Sequence, residues 1–339
     1  MSGASRVIFA AGALAFAAWA AEARAQALDP AELDRVLKEA YAKFEGVSEG
    51  KNADYIPALA KVPSKLFGIA LVTSDGKLHA VGDADALFSI QSISKVFTMA
   101  RVIQDQGEQR IEDTVGVDAT GQAFNSIIAI EQYKGRQMNP LVNPGAIATT
   151  GMVAGKTDAE KWARILETHD DFAGRKLEVN QEVYSSEAAT NQRNQAIAAL
   201  MSAYGLIQND PKVVTDIYTR QCSLNVSAKD LAQMAATLAN GGKNPVTKKQ
   251  VIAPEHVPGI LAVMATAGLY DDSGIWLFHV GLPAKSGVGG GIIAVAPGRF
   301  GIAAFSPPLD AAGNSVRAQR AIRWIVEQLH ANPYASNPS

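Results

Sequence analysis

The strand signals of this chain lie near its two ends and leave a helical middle, and this limits its fold more than any other feature. Leu66 to Thr73 is apolar, Ser74-Asp75-Gly76-Lys77 reads as a turn, and Leu78 to Gly82 returns as a second strand. Strand-like runs come back only late, at Gly274 to Val280, Gly290 to Ala296 and Arg299 to Phe305, with Pro297-Gly298 marking a hairpin between the last two. From about Ser92 to Pro254 helical patterns dominate. Ser227 with Asp230 opens one helix there, Leu231 to Leu238 carries it, and Asn240-Gly241-Gly242 stops it. A helix also leads the chain: Asp29 as N-cap, Pro30 at N1 and Glu32 at N3, followed by Leu33, Val36, Leu37, Ala40, Tyr41 and Phe44 at helical spacing. Asn314 to His330 closes it with a stripe of Val316, Ala321, Ile322, Ile325, Val326 and Leu329. Short strand connections favour antiparallel pairing. The fold class expected is therefore α+β: one antiparallel sheet assembled from both chain ends, flanked by helices, with an all-helical lobe inserted. The sheet lobe then takes about 26–90 and 268–339, and the helical lobe about 91–267.

Residues 1–25 read as an address instead. Arg6 gives a positive start, Val7 to Ala20 is uncharged and apolar, and Ala23-Arg24-Ala25 puts small residues at −3 and −1 of a cut before Gln26. The alternative is a retained anchor, but a spanning helix needs roughly 20 apolar residues, and Glu22 and Arg24 interrupt sooner. Export, cleavage near Ala25-Gln26, a periplasmic location and no stable membrane span in the mature form are the expectation.

Several function classes fall away on composition. The 31 basic and 33 acidic side chains are interspersed, so nothing gathers cations to neutralise phosphates, and no nucleic-acid partner is expected. A single cysteine, Cys222, excludes an intrachain disulfide and a thiolate zinc cluster. The five histidines are far apart and form no HExxH helix. Neither a metal nor a cofactor is expected. Cys222 itself, with no histidine nearby in sequence, reads as a small buried residue.

The chemistry-bearing signals are two. Gln91-Ser92-Ile93-Ser94-Lys95 opens a helical pattern, and residues i and i+3 share a helix face, so Ser92 and Lys95 can meet. A serine hydroxyl needs a base to become a nucleophile, and a lysine serves once burial leaves it neutral. Lys285-Ser286-Gly287-Val288-Gly289-Gly290-Gly291 is the second: a cation and a hydroxyl followed by glycines that let a substrate approach the backbone. It is no dinucleotide fingerprint, because Ile292 fills the last glycine position, and no Walker pattern occurs.

Ser-x-x-Lys early and Lys-Ser-Gly late resemble the serine β-lactamase and penicillin-binding-protein superfamily. Eight blocks in order narrow the likeness: Asn52 to Pro57, Gln91 to Lys95, Asn139 to Ile147, Ser186-Glu187 with Asn191 and Asn194, Tyr218 to Ser223, Ala236 to Gly242, Gly268 to Gly274, and His279 to Val288. Together, over about residues 30–330, they look like the serine-dependent glutaminase family. A β-lactamase is expected to carry a Ser-Asp-Asn element and an acidic deacylation residue, and neither stands out.

The resemblance implies a β-lactamase-like fold and hydrolysis of L-glutamine to L-glutamate and ammonia without cofactor. By the family's pattern Ser92 is the nucleophile and Lys95 its general base. Tyr55, Gln91, Asn143, Glu187, Asn194, Tyr218, Tyr270 and Val288 contact the substrate, Val288 through its backbone as an oxyanion donor alongside Ser92. Tyr218 or Tyr270 relays a proton to the departing ammonia. Glu187 suits the substrate's α-ammonium, and Asn143 and Asn194 its α-carboxylate. Glu187, Asn191 and Asn194 stand at helical spacing, as one face of a helix. The superfamily fold also suggests a homo-oligomer, dimer or tetramer. Pro144 departs from the family's expected alanine; it removes an N–H and restricts Asn143. His279, on the expected strand before Gly281, is either a core residue or one that lines the site. Two other readings stay open from sequence: a β-lactam-reactive hydrolase of the same superfamily, and a glutamine-binding protein that does not turn over.

Overall fold

The computed structural model describes residues 29–335 except Gln137, so the address read at residues 1–25 lies outside the described residues. After α1 (Pro30–Phe44) and the short α2 (Pro57–Ala60) come β1 (Gly68–Thr73), β2 (Leu78–Gly82) and β3 (Phe88–Ser89). A 3₁₀ turn, Gln91–Ile93, runs directly into α3 (Ser94–Gln106). The helical stretch continues with α4 (Glu108–Thr114), α5 (Ile127–Tyr133), α6 (Asn143–Met152), α7 (Asp158–Ala173), α8 (Gln181–Thr190), α9 (Gln192–Ala203) and α10 (Pro211–Cys222). Then follow β4 (Asn225–Val226), α11 (Ala228–Ala239), α12 (Val257–Ala267), α13 (Ser273–Val280), β5 (Ala284–Gly287), β6 (Gly291–Ala296), β7 (Phe300–Phe305) and α14 (Val316–Gln328).

The sheet order is β2-β1-β7-β6-β5, every neighbouring pair antiparallel. Strands from the two chain ends meet where β1 pairs β7, Gly68 opposite Phe305 and Thr73 opposite Phe300. Both faces of the central strands are covered, which is why they read as continuous apolar runs and not as alternating ones. Ala70, Val72, Ile293, Val295, Ala303 and Phe305 turn toward the core shared with α3 and α11. Ile69, Leu71, Ile292, Ala294, Ile302 and Ala304 turn toward α1 and α14. α11 comes very close to β7: a Cβ at Gly301 would sit 2.1 Å from the Ala236 nitrogen. The cap expected at Ser227 is a full capping box with Asp230.

One strand expectation is wrong. Gly274 to Val280 belongs to helix α13, and its place at the sheet edge is taken by β5, the Lys285-Ser286-Gly287 segment itself. The run is apolar throughout, so periodicity alone could not separate helix from strand. Ser273, Trp276 and Val280 face inward at helical spacing, Ile275, Phe278 and His279 face out, and Gly281 ends the helix in the left-handed region at φ 76°. A two-stranded ribbon, unexpected from the sequence, pairs β3, just ahead of the helical middle, with β4 inside it.

Candidate active site

Ser92 sits in the 3₁₀ turn that joins β3 to α3, and this turn is pinned from the sheet side. The glycines after Lys285 do the pinning. A Cβ at Gly287 would lie 2.8 Å from the Ile90 carbonyl oxygen, and one at Gly289 would lie 2.5 Å from that of Ser89. Only glycine allows the β5–β6 corner so close to the nucleophile's backbone, so the glycine run is a packing device that sets Val288 beside Ser92. Gln91 takes a left-handed φ of 50°, uncommon for a residue with a side chain. Its amide nitrogen reaches both Ser89 Oγ and Glu187 Oε2, each at 3.3 Å.

A cavity of about 270 Å³ opens over Ser92. Tyr55, Gln91, Ser92, Asn143, Glu187, Asn194, Tyr218 and Val288 all line it. Lys95 and Tyr270 stand behind the cavity wall, both buried. Tyr55 is more than half exposed at the mouth.

Lys95 is fully enclosed, and burial holds its amine down at about 8, against weaker upward pulls from Cys222 and Glu187. Its Nζ donates to Asn143 Oδ1 at 2.7 Å and to the Leu141 carbonyl at 3.3 Å. Tyr218 also reaches Asn143 Oδ1, at 3.3 Å, and burial pushes its phenol well up. Tyr270 is pushed up to about 12 by burial, opposed by hydrogen bonds with Ser92 and Ser286. Its backbone, too, is left-handed, at φ 56°. Glu187 is buried, which lifts its carboxyl to about 7, while the Gln91 amide and the Lys95 charge pull it back.

The polar set at 187, 191 and 194 is not one helical face. α8 ends at Thr190 and α9 starts at Gln192, with Asn191 between them at φ −93°, ψ 21°. Asparagine competes with helix hydrogen bonding and favours such ends. Its amide donates to Thr219 Oγ1 at 3.2 Å and accepts from Gln195 Nε2 at 2.7 Å. The break still delivers all three side chains to the cavity. Asn143 Nδ2 donates to Asn194 Oδ1 at 3.0 Å, so one amide ties this wall to Lys95.

Pro144 does no harm where it falls. It lies in the first turn of α6, where backbone N–H groups have no intrahelical partner. Cys222 is buried and its thiol is pushed up to about 12 by burial, which removes it as a nucleophile. His279 is exposed on α13 and lines a different cavity with Trp276 and Arg323. Phe124, Asn125 and Arg193 line the site without having been anticipated. They share no spacing with the other site residues; bonds to backbone carbonyls bring them in, Asn143 N–H to that of Phe124 at 2.7 Å and the Arg193 side-chain Nε to that of Asn125 at 3.0 Å.

A sheet built from both chain ends, a helical insertion, and a Ser-x-x-Lys turn facing a Lys-Ser-Gly edge strand define a protein of the β-lactamase-like class. The family model described as Glutaminase matches residues 50–334. A glutaminase of Colwellia psychrerythraea is 55% identical over 300 residues, which are 88% of this chain and 96% of that protein. Glutaminase 1 of Escherichia coli O6:H1 is 48% identical over 307 residues, 91% of this chain and 99% of its own. Among solved structures, one described as "Probable glutaminase ybaS" superposes with a TM-score of 0.90 at 47% identity, covering 91% of this chain and 100% of that one. The covalent complex of Bacillus subtilis glutaminase YbgJ with 5-oxo-L-norleucine, formed by reaction with 6-diazo-5-oxo-L-norleucine, superposes at 0.79 with 27% identity, covering 89% and 99%. The chain belongs to the glutaminase family, in its serine-dependent, β-lactamase-like form.

Proposed function

We propose that this chain is a glutaminase that hydrolyses the side-chain amide of L-glutamine through an acyl-enzyme on Ser92, with Lys95 as general base. The observation that carries this reading is the full enclosure of Lys95 with two oxygen acceptors on its amine. A neutral amine has two N–H bonds and one lone pair. Both N–H bonds have oxygen acceptors, Asn143 Oδ1 and the Leu141 carbonyl, so the lone pair is left for the Ser92 proton.

Ser92 Oγ attacks the amide carbon while its proton passes to Lys95 Nζ. The oxyanion takes the backbone N–H groups of Ser92 and Val288, two residues that line one cavity. Ammonia must leave protonated. Tyr218, whose hydroxyl reaches Asn143 Oδ1 at 3.3 Å, or Tyr270, whose hydroxyl reaches the Ser286 carbonyl at 3.4 Å, relays that proton as a phenol. Water then cleaves the ester with Lys95 again as base. Glu187 meets the substrate's α-ammonium, and Asn143 and Asn194 its α-carboxylate. The covalent adduct in the Bacillus subtilis relative supports a nucleophile in this fold: its ligand is an amino acid with a ketone at C5, where glutamine has its amide carbon.

The test is ammonia release from L-glutamine by the purified protein and by Ser92→Ala. The wild type turns over, and the variant loses about 10⁴-fold or more; undiminished turnover by the variant would end the proposal. Export belongs to the same reading. A secreted form beginning at Gln26, read by intact mass, checks the cleavage, and light scattering checks the dimer or tetramer.

A further inference from the structure

The oxyanion donor proposed at Ser92 is half of a peptide unit whose other half has partners of its own. The Ser92 N–H and the Gln91 carbonyl belong to one planar group and point in opposite directions. A contact that fixes the carbonyl therefore aims the N–H. Gln91 stands at φ 50°, a backbone state that persists only where its surroundings over-determine it. Those surroundings include Ser94. Its Oγ donates to the Gln91 carbonyl at 2.7 Å, and its backbone N–H reaches the same oxygen. Both lone pairs of that carbonyl are then taken.

Ser94 has one hydroxyl proton, and its buried neighbours leave that proton one strong acceptor. Gln221, at the end of α10, is enclosed; its Oε1 accepts from Thr98 Oγ1 at 3.1 Å and lies 3.3 Å from Thr150 Oγ1. Thr150 has a closer acceptor in the Ala146 carbonyl, at 3.0 Å. With the Gln221 oxygen occupied in this way, its amide nitrogen turns to Ser94 Oγ, at 3.5 Å the longest link of the set. Cys222 Sγ lies 3.9 Å from the same hydroxyl, and sulfur is a weak acceptor. The donors thus run in one direction, from Thr98 to Gln221 to Ser94 to the Gln91 carbonyl, and bonds in such a chain polarise one another. The proposed reaction gives none of these three side chains a task.

We propose that Ser94 is the positioning residue of the oxyanion donor: by donating to the Gln91 carbonyl it fixes the plane of the Gln91–Ser92 peptide and aims the Ser92 N–H at the substrate's reacting carbonyl. Gln221 orients the Ser94 hydroxyl from behind. The inference rests on the reading of Ser92 as nucleophile and of its N–H as half of the oxyanion hole. The bond matters once charge develops on the substrate oxygen, so it acts on turnover and not on the binding of the uncharged amide.

The experiment is a kinetic series on L-glutamine with Ser94→Ala, Ser94→Thr, Gln221→Met, the Ser94→Ala/Gln221→Met double variant and Ser92→Ala, each first checked for folding by circular dichroism and melting. Removing an oxyanion donor outright costs about 10²-fold or more, and leaving it in place but unheld costs less. Ser94→Ala therefore lowers kcat about 10-fold, with KM and the inhibition constant of L-glutamate within about 2-fold. The decline of kcat/KM through about 8 that Lys95 sets keeps its position, which separates this role from a loosened Lys95. Ser94→Thr keeps the hydroxyl and recovers most of the loss. Gln221→Met lowers kcat about 3-fold and adds nothing in the double variant; it carries the test if Ser94→Ala does not fold. Full kcat in the variant that carries the test, a loss that falls on KM and glutamate binding, a displaced pH inflection, or a folded Ser94→Thr as slow as Ser94→Ala would each overturn the inference. Turnover surviving in Ser92→Ala would instead break the proposed function beneath it.

Discussion

The two walls of the cavity are built on opposite principles. The proposed reacting side is Ser92 in the wall with Lys95 and Tyr270 behind it. It is buried, set against the sheet, and held by positive-φ residues at 91 and 270 and by glycine contacts that leave no room for a Cβ. The proposed recognition wall is Glu187, Asn191 and Asn194. It is assembled at the junction of two helices, and Asn194 there is half-buried. Groups that must meet reacting atoms in one geometry are locked by the backbone. The groups proposed to hold a small zwitterion are amides and a carboxylate arranged through one another, Gln91 to Glu187 and Asn143 to Asn194. Damage to the first wall should therefore appear in kcat, and damage to the second in KM.

The largest expected effect after removal of the nucleophile is that of Lys95→Ala, a loss of about 10³-fold or more in kcat, measured by ammonia release. The pH profile sharpens this. Lys95 sits near 8, so as pH falls through about 8 the amine gains a proton and loses its lone pair, and kcat/KM falls. Glu187 sits near 7 in the free enzyme, and below that pH it is neutral and no longer attracts the α-ammonium, so a second decline follows. Glu187→Gln comes next in size. It removes a buried charge partner, raises KM by about 10²-fold with a smaller change in kcat, and abolishes the lower inflection. A Glu187→Gln enzyme with lowered kcat and normal KM would break the division between the walls. The smallest effect is structural. Gly287→Ala places a Cβ 2.8 Å from the Ile90 carbonyl and 3.3 Å from Ile93 Cγ1, so the melting temperature should drop by an amount equivalent to about 1–3 kcal/mol. The residual activity loss should fall on kcat, since the nucleophile's turn is what shifts.

Much of this was legible in the sequence, for reasons that differ between elements. The β1–β2 hairpin and the capped helix α11 follow local rules, and Ser74-Asp75-Gly76-Lys77 and the Ser227–Asp230 capping box appear where those rules put them. α13 was misread because an unbroken apolar run carries no period, and the outward-facing Ile275, Phe278 and His279 could be told from the inward-facing Trp276 and Val280 only in three dimensions. The site residues were found through ordered motifs, while Phe124, Asn125 and Arg193 enter through bonds to backbone carbonyls that leave no pattern in the chain. Lys285 was visible as a motif, but its contact with Tyr270 depends on the fold bringing residue 268 beside residue 285.

The central claim is a covalent glutamyl ester on Ser92. Mixing enzyme with L-glutamine, quenching in acid within a turnover and mapping peptides by mass spectrometry tests it directly. The account predicts a γ-glutamyl adduct on the peptide holding Ser92, absent in Ser92→Ala. An adduct on any other residue, or full turnover by Ser92→Ala with no adduct, would contradict it.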